Sequence, residues 1–194
     1  MTKNAIKPLT HRLAKLATWA VLACASTLST AGILTINGDT TGDPTWNRTT
    51  GGAPPTNLSG VGTAVHYEVT QFQVNANASY SFLNSASYDS YLHLYQIAFN
   101  PTQQFVNVII ADDDGGSGFD SAFSSNLVTG VDYFAVSSSF GNNDFGAFTL
   151  TIRGDGDNTA FETNGNNTVP EPTSLALLGL GLIGMAAVRR RKSA

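Results

Sequence analysis

Cysteine is nearly absent from this 194-residue chain: Cys24 is the only one, so no disulfide can form within it. Positive charge is scarce through the middle. Eight of the ten Lys and Arg residues stand near the two ends, leaving only Arg48 and Arg153 in the stretch from Asp39 to Glu162, which holds 13 of the 14 acids. Two cations against 13 anions give that stretch a formal charge of about −11, a field that disfavours nucleic acid and anionic membranes and favours cations. Catalytic patterns are missing as well. No GxSxG or HExxH occurs, and beyond the first 31 residues the histidines are His66 and His93, neither in a metal-binding or nucleophile motif. A hydrolytic site has no anchor, and the chain is read as non-enzymatic. Helix-forming runs of Leu, Glu and Lys are likewise few, whereas Gly, Ser, Thr, Asn and aromatics abound, so strands are expected.

What is there starts with two terminal signals. Lys3, Lys7, Arg12 and Lys15 precede a short apolar run, Leu16 to Ala25, and then small residues, the pattern of a secretory signal peptide over 1–31. Cleavage after Ala31 is favoured over cleavage after Ala25, and Cys24 leaves with the peptide. The alternative takes Val21-Leu22-Ala23-Cys24 as a loose lipobox that lipidates Cys24. At the other end, 169–194 carries Pro170-Glu171-Pro172, an uncharged apolar segment over about 173–188, and Arg189, Arg190, Arg191 and Lys192. Two prolines around Glu171 keep that motif extended and open to a protease. The segment after it is apolar on every face and spans roughly 24 Å as a helix, short but workable for a bilayer. The basic cluster stays in the cytoplasm as a stop-transfer signal and puts the bulk of the chain outside.

This tail resembles the PEP-CTERM sorting signal of Gram-negative bacteria. The resemblance implies export through the secretion machinery, transient anchoring in the inner membrane, processing by an exosortase, and delivery to the cell surface or extracellular matrix alongside exopolysaccharide.

Between the signals lies one domain's length of chain. Residues 32–63 are dense in turn formers and are expected to form an irregular Gly/Thr/Pro-rich leader, with Trp46 as its one anchor. Over 64–154 alternating patterns predict strands at Ala64 to Val74, with a bend near Thr70, and at Ala78 to Leu83, Tyr91 to Ala98, Val131 to Ser137 and Ala147 to Ile152. Phe123 to Val128 is a shorter candidate, and Phe105 to Ala111 suits a central strand. Seven or eight short strands predict an all-β antiparallel β-sandwich or jelly roll, flanked by the signal peptide and one C-terminal transmembrane helix. Residues 155–168 form a polar linker.

Within that domain Asp112, Asp113 and Asp114 stand before a glycine-rich loop, with Asp120 across it and Asp89 at the start of a preceding strand. Adjacent carboxylates repel, and a hard cation with oxygen ligands relieves this, so the five are candidate calcium ligands. The competing reading is an acidic turn whose side chains cap backbone N–H groups. His66 and His93 are expected as strand residues paired across a sheet, and Arg153-Gly154-Asp155 as a chance tripeptide. Tyr88, Tyr91, Tyr95 and Phe140 suit core packing or, if exposed, stacking on sugars.

The succession Tyr88 to Tyr95, Ala111 to Gly115, Asp120-Ser121, Leu127 to Tyr133 and Gly146 to Leu150 resembles the bacterial pre-peptidase C-terminal domain. That resemblance implies a β-sandwich accessory module of secreted proteins, some of which bind collagen, polysaccharide or calcium. No peptidase precedes the module here, so enzymatic association does not transfer. The resulting expectation is an exported module that binds or scaffolds exopolysaccharide or matrix protein. The alternatives are an accessory part of a secreted enzyme and a structural matrix protein without a specific ligand.

Overall fold

The computed structural model describes residues 32–163. The signal peptide expected over 1–31 and the sorting signal expected over 169–194, with its span, lie outside the described residues. Eleven strands and no helix make up the described chain: β1 (Ile33–Asp39), β2 (Thr45–Trp46), β3 (Val65–His66), β4 (Glu68–Val74), β5 (Ala78–Ala86), β6 (Ser90–Gln96), β7 (Val108–Asp112), β8 (Ser121–Leu127), β9 (Tyr133–Ser139), β10 (Ala147–Gly154) and β11 (Ala160–Glu162). They form a four-stranded sheet in the order β1-β10-β5-β8 and a five-stranded sheet in the order β11-β4-β9-β6-β7, with β2 and β3 as a separate pair. Every pairing is antiparallel.

The two sheets pack face to face because each strand alternates. On β10, Phe148, Leu150 and Ile152 point inward and Thr149, Thr151 and Arg153 outward. On β5, Tyr80, Phe82 and Asn84 point inward, and Phe82 meets Phe72 of β4 with ring centroids 5.9 Å apart. Leu92 and Leu94 of β6 and Tyr133 and Ala135 of β9 complete this core.

Four departures from the sequence reading stand out, the first being that the polar linker expected over 155–168 supplies the edge strand β11, whose buried Ala160 stands opposite Val74 of β4. The expected leader over 32–63 is part of the sandwich: Ile33–Asp39 pairs along its whole length with β10, from Ile33 opposite Arg153 to Asp39 opposite Ala147. Leu34 and Ile36 supply the inward alternation, which follows directly on the small-residue end of the expected signal peptide and is hidden by it in sequence. The run expected as a central strand is instead the edge strand β7; Phe105 and Val106 remain exposed, and Gly52 bridges to Ala111 through two backbone hydrogen bonds of 2.9 Å. The bend expected near Thr70 falls at Tyr67, where the chain leaves the β2 pairing and begins the β9 pairing.

Candidate functional site

Residues 40–64, turn-rich and short of regular structure, are laid over the outer face of the five-stranded sheet as a strap. That face carries Tyr91, His93 and Tyr95 of β6 and Val136 of β9, all buried. Leu92 and Leu94 occupy the opposite face, so β6 is covered on both sides, which an antiparallel strand near a sheet edge needs only when its outer face is apolar. Trp46 lies against this row, with its ring centroid 4.9 Å from His93, 5.2 Å from Phe99, 5.7 Å from Tyr67 and 6.5 Å from Tyr95. Tyr91 and Tyr95 are thus core residues. They offer no stacking platform to a sugar, and Tyr88 and Phe140 are half-buried.

Arg48 is the strap's second anchor. Its guanidinium lies 3.6 Å above the Tyr91 ring. Nε donates to the Ser139 carbonyl (3.1 Å), Nη1 to the Thr49 carbonyl (3.0 Å) and Nη2 to the Phe140 carbonyl (2.8 Å). Burial pulls its pKa down, with Tyr91, Asp113 and Asp89 opposing. His93 bonds to Thr49 Oγ1 through Nε2 (3.1 Å), while its buried Nδ1 has no partner. Burial, and then the nearby Arg48 charge, hold the His93 pKa down at about 3, so the ring is neutral. Burial likewise raises the Tyr91 phenol to about 12. His66 sits in β3 opposite Thr45, and its Nδ1–H donates to the Asp43 carbonyl.

The acidic residues lie around the loop between β7 and β8. Asp112 Oδ2 accepts from the Gly115 N–H (2.7 Å) and the Ala122 N–H (3.2 Å), Asp113 Oδ1 from the Asp114 N–H (3.1 Å), and Asp120 Oδ2 from the Ser85 hydroxyl (3.0 Å). Ser90 fixes the far side of this loop: its N–H donates to the Phe119 carbonyl (3.0 Å), and its hydroxyl meets that of Ser121 at 2.8 Å. Asp89 has one carboxylate oxygen buried without a partner. Its pKa is raised by burial and by Asp114, Asp113 and Asp144, against a lowering by Arg48. The five expected calcium ligands therefore divide. Asp112, Asp113 and Asp120 are engaged in capping and side-chain hydrogen bonds, whereas Asp89 keeps an unpartnered oxygen in the field of Asp114 and Asp113. Among the described residues, no three His, Cys, Asp or Glu side chains come together as a ready-made metal cage.

The site residues that the sequence did not signal are Arg48 and Thr49. The only available cue was a lone Arg two positions after a Trp in an otherwise acidic stretch. Arg153 is exposed at the end of β10, and Asp155 follows it in a turn. Pro170, Glu171, Pro172 and the basic cluster lie outside the described residues.

Comparison with known proteins adds one match. A family model of the PEP-CTERM protein-sorting motif covers residues 168–192, taking in the Pro-Glu-Pro triplet and the terminal basic cluster. No curated protein matches the chain. The chain thus carries, behind an all-β antiparallel sandwich, the sorting motif of exported proteins that transit a membrane, are processed by an exosortase and are sorted to the cell surface.

Proposed function

We propose that the sandwich is a non-enzymatic binding or scaffolding module, delivered by its sorting motif to the surface or matrix of a Gram-negative cell, where it engages exopolysaccharide. The observation that carries this reading is the motif at 168–192 following a single sandwich domain, which makes the sandwich the part delivered. The likeness to pre-peptidase C-terminal domains supports it. The motif order seen in sequence runs through β6 to β10, and such modules are β-sandwiches that accompany secreted proteins. The charge of about −11 on the exported part points to neutral or cation-bridged glycans rather than to anionic ones.

Calcium enters this reading at Asp89, where a divalent cation would neutralise a carboxyl whose pKa is raised by burial, Asp114 and Asp113 and would meet its unpartnered oxygen. The test is retention of the full chain, in mild detergent, on the host's own matrix polysaccharide, once with calcium and once with chelator. Retention in either condition supports the binding role, and its loss in chelator supports calcium. Free passage in both removes the polysaccharide from the reading.

A further inference from the structure

The outer face of the four-stranded sheet is free of the strap, and at one end it is hollowed. A groove of about 330 Å³ is lined by Asn37 and Gly38 of β1, Ala147 and Thr149 of β10, and Ser85 and Ser87 at the end of β5. Apart from Ser87, its polar side chains come from one register row. Asn37 stands opposite Thr149, and Thr149 opposite Ser85. The Thr149 hydroxyl donates to Asn37 Oδ1 (2.9 Å), and the Ser85 hydroxyl donates to Asp120 Oδ2 (3.0 Å). Four polar side chains thus lie side by side across the sheet, spanning about 14 Å at the usual interstrand spacing of about 4.8 Å.

The row is satisfied inside and open at its ends. Both hydroxyls spend their proton on a neighbour and keep lone pairs free, while the Asn37 amide nitrogen and the second Asp120 carboxylate oxygen have no protein partner. Facing the groove there are therefore one amide donor, two hydroxyl acceptors and the Ser87 hydroxyl, above a floor of Ala86 and Ala147 small enough to let a ring approach, while the Asp120 carboxylate ends the row outside the lining. A chain of neutral sugar units offers the complementary set, since each ring presents hydroxyls that donate and accept at intervals comparable with the strand spacing. An acidic glycan meets Asp120 and the net negative domain and is repelled. Aromatic stacking contributes little, because the one ring at the groove, Phe148, is buried.

We infer that this groove is a glycan-binding subsite for a neutral polysaccharide, with Asn37, Thr149 and Ser85 as its hydrogen-bonding row and Asp120 holding Ser85 from the row's end; the inference rests on the surface-binding reading above and locates it. The test is affinity electrophoresis of the full chain in mild detergent, through native gels cast with hydroxyethyl cellulose, dextran or galactomannan, and with polygalacturonate as the acidic counterpart. Retardation is expected in at least one neutral glycan. Thr149→Val and Asn37→Leu should each weaken it about tenfold, the size of effect of removing one hydrogen-bonding group that faces a ligand. Ser124→Ala, on the same outward face but two rows away, should leave it unchanged. Variants are compared only where melting matches the parent. Equal retardation of parent and groove variants overturns the groove while leaving surface binding intact. Retardation by polygalacturonate alone, or by none of the four, overturns the neutral ligand, and retention on the host's own matrix then decides whether the wider reading falls with it.

Discussion

Arg48 shows how an acidic module buries its cation. A guanidinium presents a planar fork of donors, and three backbone carbonyls, at Thr49, Ser139 and Phe140, meet that fork while the Tyr91 ring closes one face. The charge is permanent, and its effect falls on His93. Taking an imidazole out of water disfavours its charged form, and a fixed cation beside it adds to the penalty, hence a folded pKa of about 3 against an unfolded value of about 6.5. Between those two values the unfolded chain binds a proton that the folded chain does not. Stability from His93 is therefore fully present above about pH 6.5 and drains away as pH falls toward 3, at up to about 1.4 kcal/mol per pH unit. Glu68 and Asp89 act in the opposite direction: burial raises their carboxyl pKa values, so protonation favours the folded state. The cleanest window lies above the carboxylate range, from pH 6.5 to 5. Urea unfolding there should show stability falling with acidification, and His93→Gln, though less stable overall, should show a flatter dependence. Parallel slopes in parent and variant would show that His93 is not held neutral. None of this was legible in sequence, where Tyr91, His93 and Tyr95 alternate like any strand whose one face meets water.

At the scale of elements, strands whose inner and outer residues differ in polarity were legible and the rest were not. β10 and β5 announce themselves by aromatic or aliphatic residues alternating with Thr and Ser, and both lie where the pattern places them. β7 misled because its apolar run reflects an edge bridged by Gly52 rather than a strand covered on both faces. The strap was unreadable because its order comes from contacts with distant residues. It does hold a short ladder of its own: the Arg48 N–H donates to the Gly62 carbonyl (3.1 Å), the Ser59 N–H to the Arg48 carbonyl (2.8 Å), and the Thr50 N–H to the Asn57 carbonyl (2.8 Å). Gly62 is where this ladder passes closest to the anchor; a Cβ there would stand 2.5 Å from Arg48 Nε and 3.0 Å from its Cγ and Cζ. Because three carbonyls fix the guanidinium, the side chain has little room to yield. Gly62→Ala should cost about 1 to 3 kcal/mol, as overpacking does in well-filled sites. The other tryptophan, Trp19, belongs to the expected signal peptide, so emission from the processed protein reports Trp46. Urea melts followed by that emission should shift to lower denaturant in the variant, whereas an unchanged midpoint would mean that Arg48 and the strap are held less closely.

For the whole molecule, the division of charge joins the fold to its route. Cations are gathered at the ends, in the expected signal peptide and the matched sorting motif, and the exported part is left acidic. One consequence is that the described residues contain only two trypsin sites, Arg48, which is buried, and Arg153, exposed at the end of a strand. Resistance of the Arg48–Thr49 bond to trypsin therefore reports a docked strap wherever the molecule is found. This separates sorting from folding in a single experiment. Replacing Pro170, Glu171 and Pro172 together by alanine removes the triplet at the centre of the matched sorting motif, without touching the sandwich. In the native host the variant should accumulate in the membrane fraction at unprocessed length, with the Arg48–Thr49 bond still resistant. The parent should be shortened and recovered at the surface with the same resistance. Surface delivery of the variant at the parent's rate and length would show that the triplet is not what the exosortase recognises. Loss of trypsin resistance in the variant would show that the sandwich depends on processing for its fold, a dependence that its closed core and eleven paired strands give no reason to expect.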